Sequence, residues 1–133
     1  MAALTARELE VRREIFESFA ANGAAPPAEA LDGSVLRALE EKHVVVLRSG
    51  RVWMAHPFAG HRDGTRVAAF DGREWWGSCA WDGLGIVAAL GLPSAIVRSD
   101  HFKVQVRDGA VSGEALFHVA VPARHWWDDI EHT

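Results

Sequence analysis

A single cysteine, Cys79, among 133 residues rules out an internal disulfide. A chain of this length buries about two-thirds of its unfolded surface, so it folds without a cross-link or a structural metal. One lone thiol fits a reducing, cytoplasmic setting. Long apolar runs are missing as well. No stretch approaches the ~20 apolar residues of a membrane span, and Met1 to Arg7 shows no apolar core of a signal peptide. The longest nearly uncharged run, residues 83–97, is broken by Gly83, Gly85, Gly91 and Pro93 and reads as buried in protein. Basic excess is absent too: 14 Lys and Arg stand against 18 Asp and Glu, a net charge of −4. That removes any general attraction to nucleic acid or anionic lipid. The expected partner is a small molecule or another protein.

What is present is organised. The length suits one unit, or two small ones sharing a core, with no internal repeat. Leu9, Ile15, Phe16 and Phe19 recur at helical spacing and predict a helix over residues 6–21, stopped by Asn22-Gly23. A short second helix is expected over residues 27–31, and Asp32-Gly33-Ser34 offers capping chemistry for a third over residues 35–42. Two β-rich runs, residues 44–47 and 52–55, flank a Gly-containing turn and predict a hairpin. Three helices and a hairpin make a winged-helix-like layout, the form in which a third helix enters the DNA major groove. Charge argues against that role: residues 1–60 carry seven basic and eight acidic side chains, and the third helix holds Glu40 and Glu41. Packing, or a lid, is the simpler use of this portion.

Residues 56–66 read as a loop and 65–70 as a strand, followed by a turn into Glu74-Trp75-Trp76. Residues 78–90 predict a helix apolar almost all round, hence buried at the centre, stopped by Gly91-Leu92-Pro93. Strands are expected over residues 95–98, 102–107 and 116–121. The fold class is therefore α+β: a winged-helix-like portion, residues 1–58, packed on a small mixed sheet with one buried helix, residues 59–133.

The chemistry concentrates between Trp75 and Ile86. With Ser78 as N-cap, Cys79 falls in the first helical turn, where free N–H groups and the helix dipole favour an anion, so its thiol pKa is expected below the ordinary value. Asp82, three residues on, shares that face. A thiolate beside a carboxyl group in a Trp-lined apolar pocket divides two tasks: sulfur attacks or ligates a soft centre, and a buried, protonated Asp82 donates a proton. The plainer alternative is a small buried hydrophobe and an acid placed for the helix dipole. Gly83 and Gly85 count against it, because each costs a helix interior about 1 kcal/mol relative to Ala.

The segment from Trp75 to Gly91, with Cys79-Ala80-Trp81-Asp82 and the following Gly-Ile-x-Ala-Leu-Gly pattern, resembles the first active-site segment of the alkylmercury (organomercurial) lyase family. The tail His125-Trp126-Trp127-Asp128 and the winged-helix-like front resemble that family's layout as well. The resemblance implies cleavage of a carbon–mercury bond, with thiolates ligating the soft metal and a carboxyl group protonating the released carbon. Cys79 matches the first cysteine, as metal ligand and nucleophile, and Asp82 the proton-handling aspartate. The second cysteine is missing: residues 117–123, where the family carries it, hold no thiol. The chain thus reads as a divergent member. An external thiol, or His118 or His101, could take the second ligand position, and Trp76, Trp81 and His118 are the expected pocket residues. No resident cofactor is implied; Hg(II) enters as substrate metal or bound product. His56 and His61, five residues apart, make no metal motif. Two alternatives stay open: a related lyase or acid/base enzyme acting on a non-mercurial substrate, and a winged-helix regulator sensing a thiophilic metal or electrophile through Cys79.

Overall fold

Thr5 starts the first helix with a reciprocal cap, its hydroxyl accepting from the Glu8 N–H while the Glu8 carboxylate accepts from the Thr5 N–H. In this computed structural model, which describes residues 2–114 and 122–130, that helix is α1 (Ala6–Asn22). Gly23 ends it in the left-handed region, φ 68°, at the expected stop, the helix running one residue past the expected 6–21. Val11, Ile15 and Phe19, four residues apart, form its fully buried stripe. The two prolines at 26 and 27 leave room for only a single 3-10 turn, Ala28–Ala30, in place of the expected short helix. Asp32 then caps α2 (Gly33–Glu41) by accepting from the N–H groups of Ser34 and Val35, and Leu36 and Leu39 turn inward. Lys42 follows α2 and donates to Glu8 at 2.6 Å, tying the two helices together.

The hairpin forms as β1 (Val46–Arg48) and β2 (Arg51–Ala55), and a third strand, β3 (Phe58–Ala59), joins it inside the segment read as loop. Phe58 stacks on Phe19 at 5.3 Å between ring centres, which explains why so short a strand is held. The second sheet has β4 (Thr65–Ala69), β5 (Glu74–Gly77), β6 (Ser94–Arg98), β7 (Lys103–Arg107) and β8 (Ala110–Ser112), in the order β5-β4-β6-β7-β8. Every pairing described in it is antiparallel, so the sheet is not mixed as expected. The reason is the crossover: β5 and β6 run the same way but are separated by β4, which pairs antiparallel with both. The strand expected over residues 116–121 lies outside the described residues.

The crossover is α3 (Ala80–Leu90), lying against β4, β5 and β6. Gly83 permits the contact; a Cβ there would stand 2.6 Å from Val97 and 2.8 Å from Thr65. Only one face of α3 is buried, through Gly83, Ile86 and Val87, whereas Ala88 and Ala89 are exposed and Trp81 is 55% exposed. The expectation of burial all round fails because small residues raise apolar content without gaining much from burial. A continuous hydrophobic cluster runs from Val11 and Phe19 through Phe58, Trp75 and Ile86 to Val106. Trp75 crosses between the front and rear portions, its Nε1 donating to the Ala20 carbonyl at 3.0 Å. Among the described residues no helix is long and apolar enough to cross a membrane.

Candidate functional site

β5 ends on Gly77, and the chain turns at once into α3. The turn is tight: a Cβ on Gly77 would meet the Asp82 Cβ at 2.8 Å. Cys79, in extended backbone (φ −143°, ψ 177°), takes the N-cap position that Ser78 was expected to fill. The Ser78 hydroxyl instead lies buried with no hydrogen-bond partner among the described residues. Asp82 is the third helical residue, so the spacing expected to set sulfur and carboxyl on one turn holds, displaced by one capping position.

The shift of the thiol pKa runs opposite to expectation. Loss of water around the sulfur pushes the Cys79 pKa up, although the residue as a whole is exposed. The backbone N–H groups of Asp82 and Trp81 pull the other way, as the helix terminus should, but the Asp82 carboxylate adds to the rise. Burial and a neighbouring anion outweigh the dipole. The net effect raises the Cys79 pKa, with the Asp82 carboxylate contributing to the rise.

A third group, to which the sequence assigns no metal motif, joins this pair. His56, in the turn between β2 and β3, places Nδ1 3.5 Å from Asp82 Oδ1. Pro57, next to it, packs against Gly85; a Cβ on that glycine would lie 3.3 Å from the proline Cβ. Asp82 is 17% and His56 32% exposed, so the pair is sheltered and still reachable. His56 Nε2 is buried and has no partner among the described residues. The 3-10 turn Ala123–Asp128 folds over this corner. Its Trp127 meets His56 edge-on at 5.8 Å and stacks on His43 at 4.3 Å. No local sequence pattern links His56 to Asp82. Tertiary packing, including Pro57 against Gly85, brings this turn to α3.

The other expected site residues scatter. Trp76 alternates with buried Trp75 along β5 and so faces the opposite side of the sheet, opposite Arg66 in register. Trp81 stands in the first turn of α3, more than half exposed. His101 is exposed in the turn between β6 and β7, and His118 lies outside the described residues. A cavity of about 430 Å³ does exist beside Trp76, but Cys79 and Asp82 do not line it. Among the described residues no three His, Cys, Asp or Glu side chains could jointly hold a metal ion.

Comparison with known structures places the fold. The chain has the α+β architecture of MerB. It is similar to the crystal structure of the mercury-bound form of MerB2, with a TM-score of 0.63 and 19% identity over 82% of this chain. It spans 60% of the length of that protein. No family model and no curated relative matches the chain.

Proposed function

We propose that the chain is an organomercurial-lyase-like enzyme that cleaves a carbon–mercury bond by protonolysis. The observation that carries this reading is the Cys79 thiol beside the Asp82 carboxyl at the start of α3, in a fold similar to a mercury-bound protein. Mercury of the substrate binds the Cys79 sulfur, and the thiol proton it displaces passes to Asp82. The carbon–mercury electron pair then takes that proton from Asp82, forming a carbon–hydrogen bond and leaving Hg(II) on sulfur. His56, paired with Asp82, orients the carboxyl group for both transfers. An external thiol supplies the second soft ligand and carries the metal away, the role of the cysteine this chain lacks.

Phenylmercury turnover in excess cysteine tests the proposal. Benzene release that is lost in both Cys79→Ala and Asp82→Asn supports it. Mercury bound at unit stoichiometry without benzene, or release indifferent to both substitutions, overturns it.

A further inference from the structure

The 3-10 turn Ala123–Asp128 rests on a seat at the end of α2. His43 lies two residues past that helix in left-handed backbone, φ 59°, its N–H donating to the Glu40 carbonyl. Glycine is the usual residue at such a helix end, because a Cβ is disfavoured there. A histidine in that conformation carries a backbone cost. Here it supplies a ring: the imidazole lies parallel to the Trp127 indole, 4.3 Å between centres and 7° between planes. Trp127 in turn meets His56 at 5.8 Å, the two planes crossing at 83°. One indole thus joins the end of α2 to the turn between β2 and β3, where His56 faces Asp82.

His56 needs such a neighbour. A histidine that orients a reactive group is ordinarily fixed by a hydrogen bond at its second ring nitrogen. Here Nε2 is buried and finds no hydrogen-bond partner among the described residues. The contact of Nδ1 with Asp82, at 3.5 Å, is longer than an ordinary hydrogen bond. Polar contacts at the two nitrogens therefore do not lock the angle of the ring. Its side chain is also 32% exposed, so it is not gripped on every side by the core. Trp127 supplies a flat, weakly mobile wall for the ring, because the indole is itself held from another side by His43.

We propose that Trp127 is a positioning residue: seated on His43, it holds the His56 ring with Nδ1 toward Asp82 and so fixes the carboxyl group for proton transfer. The inference rests on the proton-handling role given to Asp82 above, and it adds Trp127 and His43, which act on the site through His56. A carboxyl group displaced by a fraction of an ångström transfers a proton more slowly, whereas the sulfur that binds the substrate metal keeps its place. Loss of Trp127 is therefore expressed in kcat and not in KM.

Imidazole nitrogen signals of the histidine-labelled protein, recorded by NMR at one fixed pH, test these contacts without turnover, with His56 assigned through His56→Gln. Asp82→Asn moves the His56 Nδ1 signal in the otherwise wild-type protein. That response is lost when Trp127→Ala or His43→Gly is also present, and it survives in Trp127→Phe. His43→Gly suits the left-handed backbone, so it removes the stack and keeps the helix end. In phenylmercury turnover Trp127→Ala lowers kcat about tenfold or more at unchanged KM. An undiminished response to Asp82→Asn in the folded Trp127→Ala and His43→Gly proteins, no response in the wild type, or an unchanged kcat overturns the proposal. Should Trp127→Ala fail to fold, His43→Gly decides. A wild-type protein that releases no benzene overturns the proposed reaction alone, and the nitrogen signals then decide whether Trp127 holds His56 on Asp82.

Discussion

Replacing Gly83 with alanine probes the contact that sets α3, and with it Cys79 and Asp82, on the sheet. Two effects oppose. Alanine gains about 1 kcal/mol over glycine in a helix interior. The new Cβ would stand 2.6 Å from Val97 Cγ1 and 2.8 Å from Thr65 Cγ2, far inside the ~3.5–4.0 Å of comfortable carbon contact. Both neighbours are β-branched and stiff, and both are buried, at 0% and 2% exposure, on adjacent strands. Neither can swing clear, so the strain belongs to the upper part of the ~1–3 kcal/mol range for overpacked cores. The net destabilisation is about 1–2 kcal/mol. Urea unfolding reads it as a lower midpoint at unchanged slope. A Gly83→Ala protein as stable as the wild type, or more so, refutes the reasoning and shows that close approach of α3 does not depend on the missing side chain.

Two further outcomes follow from the front half and the tail. Lys42 foremost, with the Thr5 N–H, holds the Glu8 carboxyl below its ordinary value of 4.5. Its stabilisation is therefore full above that value and disappears as pH falls through the lowered folded one; urea midpoints across acidic pH should drop less steeply in Glu8→Gln, and equal slopes would exclude the pairing. Trp127→Ala removes the stack on His43 and the edge-on packing against His56. It should cost about 0.5–1.5 kcal/mol for each of these aromatic pairs and shift the His56 ring signals in NMR spectra, whereas unchanged signals would mean that the tail does not rest there.

The sequence disclosed most of the frame because its signals are local. Asp32 before Gly33, Gly23 after Asn22 and the alternation along residues 65–69 each act within a few residues, and α1, α2, the hairpin and the central strands form close to their expected places. The errors share one physical source: effects that depend on what lies across space. The helix terminus alone would set the Cys79 pKa low, but desolvation and the Asp82 carboxylate outweigh that dipole. Trp75 and Trp76 look like a pair in sequence, yet a strand sends adjacent side chains to opposite faces, so one enters the core and the other a separate cavity. β3 has two residues and no pattern of its own; it exists because Phe58 meets Phe19. His56 reaches Asp82 only through tertiary packing, and no spacing rule announces it.

Whether sulfur and carboxyl act as one unit is read most directly from the pH dependence of iodoacetamide alkylation, since Cys79 is the sole thiol and the signal is unambiguous. The wild-type midpoint should lie above that of an ordinary cysteine and fall in Asp82→Asn, where the opposing negative charge is gone. A wild-type midpoint at or below the ordinary value, or one that Asp82→Asn leaves in place, would separate the two groups and contradict the account.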